Sequence, residues 1–300
     1  MFSANVFKSL SLATRTTYRF RTLRFLSSNF VNTDTYTHGH AEAVVRQHKA
    51  RTVYNSAAYL IPKLKKGLTV LDVGCGPGSI SAGFAEIVGE TGKVFATDCS
   101  ADILDEARIS TAAYDNVTVE NADVYELPYD NHSFDVAHAH QVLQHLTDPV
   151  RAMREMKRVV KPGGVVACRD ADYSTMLGSP DLEFIKRWNE IYKETCRRNN
   201  AEPDAGRYLF KWARESGSAA SNIEYSADVV VYSPTDPTFQ KAWGNAWAER
   251  SLNSAFGRQA IEYGISTKEE MMKVAIAWQE WAKDKDATFY YVNGQVLITV

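Results

Sequence analysis

Three glycines, Gly74, Gly76 and Gly78, follow the apolar run Leu68-Thr-Val-Leu-Asp-Val73, and Asp72 stands two residues before the first of them. Glycines so spaced let a chain turn sharply and bring its backbone close to a ligand with no Cβ in the way. Ser79 then opens a segment with Ile80, Phe84, Ile87 and Val88 at helical spacing, closing in the Gly89–Gly92 turn. Strand, glycine turn and helix N-terminus make a corner of nucleotide size. A P-loop would need Gly-Lys-Ser/Thr after its second glycine, but Gly78 is followed by Ser79 and Ile80. A dinucleotide turn would place a further glycine at position 79, where Ser79 stands.

Acidic residues close the next two strands. Lys93-Val-Phe-Ala-Thr-Asp98 ends in a carboxylate about twenty residues past the glycines, placed to accept from both hydroxyls of a ribose. Val117-Thr-Val-Glu-Asn-Ala runs into Asp123, and Phe134-Asp-Val-Ala-His-Ala-His stops at His140. Lys161-Pro-Gly-Gly164 turns into Val165-Val-Ala-Cys-Arg-Asp170. Helices between these strands, over 101–112 after Ser100 and over 149–160 after the Asp148-Pro149 cap, predict βαβ units and a parallel sheet.

Leu-Asp-Val-Gly-Cys-Gly-Pro-Gly (71–78), Asp98, Asn-Ala-Asp (121–123), Ser-Phe-Asp-Val (133–136), Leu-Gln-His (143–145), Asp-Pro (148–149) and Val-Lys-Pro-Gly-Gly (160–164) occur in that order over roughly 100 residues. In order and spacing this run resembles the class I S-adenosylmethionine-dependent methyltransferases, of the type that includes the ubiquinone and menaquinone C-methyltransferases. The resemblance implies a Rossmann-like, doubly wound α/β fold with a mostly parallel seven-stranded sheet, and S-adenosylmethionine as cofactor. It puts Gly74, Gly76 and Gly78 under the ribose and methionine part, Asp72 towards the methionine ammonium, Asp98 on the ribose, and Asp123 with the Val124 amide at the adenine. Cys99, His140 and Gln141 complete the implied cofactor set, and no metal is implied. The segment that distinguishes the quinone-pathway enzymes after the fourth strand is absent from His138-Ala-His-Gln-Val-Leu-Gln144, so that pathway is only an alternative. The nearest text to an Asn/Asp-Pro-Pro-Tyr signature is Glu126-Leu-Pro-Tyr129, which disfavours base-amino and amide substrates.

Methyl transfer from a sulfonium is an in-line displacement in which positioning supplies much of the rate. An acceptor that must lose a proton needs a base near neutral pH, and histidine suits that. Five of seven histidines lie in two short runs, His38/His40/His48 and His138/His140, with His145 close behind. Alternation on a strand puts His138 and His140 on one face. His140, nearer the strand's carboxyl end, is expected as the base, His138 as a structural residue, and His145 as shaping the turn. Tyr36 and His38 fall in the segment that in this family folds over the methyl group, so both join the catalytic candidates. Arg51 is placed to pin a carboxylate or to pair on the surface; Arg169, Asp170, Asp172 and Tyr173 are candidates for binding the acceptor.

The chain has 300 residues, 45% hydrophobic and 23% charged, as in an ordinary globular protein. No apolar run reaches the roughly 18 residues of a membrane span. Residues 1–33 hold Lys8, Arg15, Arg19, Arg21 and Arg24, five phenylalanines, many Ser and Thr, and no acid before Asp34. That is the composition of a mitochondrial presequence, with a processing site expected between Leu26 and Ser27 and a matrix location; the alternative is a disordered basic tail on a cytoplasmic protein. Without those five bases, 29 basic residues face 36 acidic ones, a balance of about −7 that lacks the basic footprint of a nucleic-acid binder. A small-molecule acceptor is expected instead; a non-catalytic mitochondrial assembly factor that retains the fold is the alternative from another class. Cys75, Cys99, Cys168 and Cys196 show no metal-like spacing, and the first three are expected as small buried thiols.

These positions divide the chain into 34–66, a leading cap; 67–172, the cofactor core; and 173–300, the rest of the sheet with helical lid insertions. The cap is expected as a helix over 36–65. Further helices are expected over 181–197, 204–215 and 237–283, the last with a capping box at Ser266-Thr-Lys-Glu269. Ile223–Tyr232 reads as a strand, and Thr288–Val300 as a hairpin turning at Asn293-Gly294. Trp243, Trp247, Trp278 and Trp281 are expected either to line an apolar pocket or simply to pack the lid on the sheet.

Overall fold

Seven strands hydrogen-bond into one sheet in a computed structural model that describes residues 34–39 and 42–300. They are β1 (Thr69–Val73), β2 (Lys93–Asp98), β3 (Val117–Asn121), β4 (Phe134–His140), β5 (Val160–Ser179), β6 (Ile223–Tyr232) and β7 (Thr288–Thr299). Their order is β3-β2-β1-β4-β5-β7-β6. Neighbours from β3 to β5 are parallel, while β7 runs antiparallel to both β5 and β6. The sheet is therefore mostly parallel and doubly wound, with β1 and β4 adjacent where the strand order reverses. Ligands bind at such a switch point, beyond the carboxyl ends of the strands.

Ten α-helices are described: α1 (Glu42–Lys49), α2 (Val53–Ser56), α3 (Ser79–Val88), α4 (Ala101–Thr111), α5 (Pro149–Val159), α6 (Glu183–Arg198), α7 (Leu209–Glu215), α8 (Pro237–Asn253), α9 (Ala255–Glu262) and α10 (Lys268–Trp281). Ile80, Phe84 and Val88 of α3 bury one face of the sheet with Val70, Val94 and Val136. Met153 and Met156 of α5 cover the other face with Leu71, Ala137 and Val166. A separate aromatic core joins α6, α8, α9 and α10 to the far ends of β5, β6 and β7. Trp188, Trp247, Trp278 and Phe289 form its centre, with the Trp188 ring 4.4 Å from Trp247 and 5.0 Å from Trp278. This lid has its own hydrophobic interior, and packing is the main role of Trp247, Trp278 and Trp281.

Several expected elements are corrected. The single helix over 36–65 is broken, because the Thr52 hydroxyl accepts from the Asn55 amide and the Asn55 side chain accepts from the Thr52 amide, a capping box that starts a new helix. β5 extends beyond 165–170 at both ends; Lys161–Gly164 forms an irregularity where its register against β4 shifts. The lid begins on the same strand, so β5 crosses the boundary drawn at 172. The 204–215 helix opens as a 3-10 turn, Ala205–Tyr208. The cap of α10 is Thr267, one residue later than expected, and Glu270 rather than Glu269 accepts from Ser266.

The hairpin is the largest correction: Asn293-Gly294 lies in the middle of β7. Asn293 is wholly buried, and a Cβ on Gly294 would stand 2.0 Å from the carbonyl oxygen of Gly206. Gly294 is required by the close approach of the 3-10 turn, a long-range reason that mimics a turn signal in the sequence.

Candidate functional site

The glycine turn is built by two packing glycines and one that opens outward. All three have left-handed backbones, with φ of 63°, 53° and 78° at Gly74, Gly76 and Gly78. A Cβ at Gly74 would lie 2.5 Å from Val142, and one at Gly78 would lie 2.9 Å from the Ala107 backbone. At Gly76 a Cβ would meet nothing within 4 Å, so bare backbone faces open space. The Gly76 amide donates to Asp98 Oδ2 at 3.1 Å, and the Ser100 amide to Asp98 Oδ1 at 3.0 Å. Ser100 caps α4 without a side-chain bond of its own. Asp123 Oδ1 accepts from the Tyr125 amide at 2.9 Å, beside buried Val124. Cys99 is exposed, unlike buried Cys75 and Cys168, because it follows β2 on the open carboxyl edge.

Beneath this corner, Asp72 is committed to the interior. Its Oδ1 meets His138 Nδ1 at 2.8 Å, and its Oδ2 accepts from the Ser81 hydroxyl. His138 is therefore structural.

The carboxyl end of β4 joins the corner to a cavity of about 440 Å3. His140 and Gln141 line it, with Arg51, Arg169, Tyr232, Trp243 and Tyr291. Gln141 has φ 53°, and its amide donates to the Arg169 carbonyl at 2.7 Å. Its side-chain carbonyl accepts from the Arg51 guanidinium. Tyr232 stacks on Trp243 at 4.2 Å and on Phe239 at 4.7 Å, giving the cavity an aromatic wall. Arg169 forks onto Asp228 at 2.9 Å and points Nη1 at His140 Nδ1, 3.4 Å away. With a cation at Nδ1, the neutral His140 ring carries its proton at Nε2. Burial, then Arg51 and Arg169, hold this imidazole well below its ordinary pKa.

Tyr36 and His38 meet His145 in a second cluster. The Tyr36 ring is 4.8 Å from His145, and the His38 ring 5.4 Å, both edge-on. His38 Nε2 and the Tyr192 hydroxyl are 2.8 Å apart. Burial lowers both imidazoles, His145 to about 3, and raises the Tyr36 phenol to about 12. At neutral pH these three groups are uncharged.

A family model described as a methyltransferase domain matches residues 64–228. An uncharacterized methyltransferase of Schizosaccharomyces pombe is 32% identical over 274 residues, covering 87% of this chain and 95% of that protein. The chain belongs to the methyltransferase-domain family. A probable methyltransferase of Aspergillus luteorubrus is 28% identical, covering 88% of this chain and 97% of that one. A demethylmenaquinone methyltransferase of Staphylococcus aureus is 36% identical over 129 residues, 43% of this chain and 51% of that one. Among solved structures, one assigned as a methyltransferase from Bacillus halodurans C-125 has a TM-score of 0.51 at 20% identity, covering 80% of this chain and 96% of that one, and shares the fold.

This methyltransferase uses S-adenosylmethionine, and the residues fit it. Unobstructed Gly76 offers the bare backbone a ligand needs, and Asp98 and Asp123 close the two neighbouring strands. The structure divides the acceptor-binding candidates between two sides of β5. Arg169 lines the cavity, whereas Asp170 holds the 143–145 turn by accepting from the Gln144 amide. Asp172 is taken by Arg207 at 2.6 Å, and Tyr173 stacks on Tyr192 at 4.3 Å. Arg51 forms no surface ion pair among the described residues. Sequence reasoning missed Arg250, which is buried on α8 with Trp247 beneath its guanidinium. The signal was available: Trp243, Ala246, Trp247 and Arg250 recur at helical spacing on one face.

Proposed function

We propose that this methyltransferase acts on a small, partly apolar molecule held in the aromatic-walled cavity. The observation that carries this is shared lining: His140 and Gln141 end the strand beside the glycine turn and also line the cavity. A cofactor on the turn and an acceptor in the cavity would thus meet at one strand end. S-adenosylmethionine, when bound, supplies the transferable methyl group. Gly74, Gly76, Gly78, Asp98, Cys99, Asp123, Val124 and Gln141 would hold it, with Asp72 acting from behind by fixing the turn. Tyr36, His38 and His140 remain the candidates that touch the acceptor. The neutral His140 ring orients it by donation from Nε2, and a base role would first need Arg169 to leave Nδ1.

Calorimetric titration of S-adenosylmethionine and S-adenosylhomocysteine tests this reading. Both should bind and NADH should not. Asp98→Ala should weaken both sulfur ligands by roughly 10- to 100-fold, as loss of hydrogen bonds to a charged group does. Absence of binding to the unaltered protein would sink the reading.

Composition alone supports mitochondrial targeting by residues 1–33, which lie outside the described residues. Removal of residues 1–26 should abolish import into isolated mitochondria; undiminished import would reject the presequence.

A further inference from the structure

The strongest unexplained chemistry in the molecule is buried positive charge. Arg250 is 3% exposed, and its Nε and Nη2 have no hydrogen-bond partner among the described residues. Trp247 lies 4.8 Å below the guanidinium, which satisfies its face and not its N–H groups. Arg51 is half-buried, and among the described residues its guanidinium bonds the neutral Gln141 amide alone. The one carboxylate lining the cavity, Asp228, is already held bidentately by Arg169. Arg51 lines the cavity and Arg250 lies one helical turn from it, and neither makes an ion pair with a carboxylate of the described residues. An unpaired buried charge is costly, and further buried donors stand nearby.

His145 supplies one such donor. Its Nε2 accepts from the Gln144 amide nitrogen at 3.0 Å, which leaves the proton on Nδ1, and Nδ1 is buried without a partner. His38, stacked on Tyr192 and 5.8 Å from the Trp247 ring, likewise has an unpartnered Nδ1. Arg250 follows Ala246 by one helical turn on α8, and Ala246 lines the cavity. Arg51 lines it directly. Arg51 and the aromatic wall of Tyr232, Trp243 and Tyr291 thus line one cavity, with Arg250 one helical turn from Ala246 at its edge.

We infer that the acceptor is an organic acid, its carboxylate held by Arg250 and Arg51 and its apolar body packed on Tyr232, Trp243 and Tyr291. A guanidinium matches a carboxylate through two parallel N–H donors, which makes the pairing selective for a planar anion. This inference rests on the methyltransferase reading. The cofactor's own carboxylate is the other source of such an anion. Arg250 stands one helical turn from cavity-lining Ala246, on the helix that also carries Trp243 of the aromatic wall, and this favours the acceptor.

The test uses the full chain saturated with S-adenosylhomocysteine, and benzoate and hexanoate against benzamide, phenol and hexanamide as probes in calorimetry at pH 7. The two carboxylates should bind at least about tenfold more tightly than their neutral counterparts. Arg250→Gln should remove that preference and leave affinity for S-adenosylhomocysteine within about threefold. Should Arg250→Gln fail to fold, Arg250→Lys, which keeps the charge and loses the planar fork, should still lower the preference while S-adenosylhomocysteine affinity holds. Equal binding of acids and neutral analogues would overturn the inference. So would a variant that loses S-adenosylhomocysteine while keeping the acids, because the anion would then be the cofactor's. Failure of S-adenosylhomocysteine to bind the unaltered protein is a separate result and counts against the methyltransferase reading itself.

Discussion

Asp72 and His138 are paired residues on adjacent parallel strands, and their side chains meet at 2.8 Å in an interior closed to water. The pair ties β1 to β4 immediately below the glycine turn. Removing Asp72 leaves His138 Nδ1 buried with no counterpart, whereas removing His138 leaves Asp72 only the Ser81 hydroxyl. Asp72→Ala should therefore cost about 1–3 kcal/mol in denaturant unfolding, the usual loss when a buried donor is left without its acceptor. His138→Ala should cost less in the Asp72→Ala background than alone. Simple additivity in that double-mutant cycle would show that the contact carries no coupling.

The three turn glycines should respond differently to alanine. At Gly78 the new methyl collides with Ala107 backbone and the residue is left-handed, so stability should fall most. Gly76→Ala meets no neighbour and pays only the left-handed penalty of about 1–2 kcal/mol. Its methyl would project where the ligand belongs, so cofactor affinity should fall more than stability does. Paired thermal melts and S-adenosylhomocysteine titrations separate the two effects. A Gly76→Ala protein that binds normally would remove Gly76 from the cofactor surface.

Below neutrality two sets of buried groups should act on stability in opposite directions. His38, His48, His140 and His145 are all lowered by burial, so the unfolded chain binds more protons than the folded one below about pH 6.5. Their contribution is complete above that pH and declines as pH falls. Asp170 has the opposite sign: burial raises its carboxyl to about 7 from an ordinary 3.8. The folded state then holds the extra proton, and stability declines as pH rises from the ordinary value through 7. Urea midpoints should rise from pH 5 to pH 7, and Asp170→Asn should steepen that rise by removing the opposing titration. An unchanged slope would exclude Asp170 as the opposing group.

The half of the fold that binds cofactor was legible because its signals are local. Glycines, strand-end acids and the Asp148-Pro149 cap each specify geometry within a few residues. What lay hidden depends on distant neighbours. Asn293-Gly294 has turn chemistry, yet Gly294 is there because Gly206 presses against it from a segment nearly ninety residues earlier in the chain. The acceptor side was hidden for a similar reason. Arg169 and Asp170 are adjacent in sequence, but the alternation of β5 sends one to the cavity and the other to the 143–145 turn. Arg250 has no motif, and its importance comes from α8 burying it beside Arg51 and the Tyr36–His38–His145 cluster.

The tryptophans of the lid make a final distinction between packing and hydrogen bonding. Trp278 and Trp281 are both wholly buried on α10, 5.6 Å apart between ring centres. The Trp281 indole N–H donates to the Thr288 carbonyl at 3.3 Å, whereas the Trp278 N–H has no partner. Substitution by phenylalanine removes similar ring volume at both positions and a hydrogen bond at only one. Trp281→Phe removes a donor from the Thr288 carbonyl at the start of β7, so it should lose about 0.5–1.5 kcal/mol more than Trp278→Phe. Urea unfolding of the two variants decides this. Equal losses would mean that the lid is held by ring packing alone, and that the Trp281–Thr288 contact does not anchor α10 to the sheet.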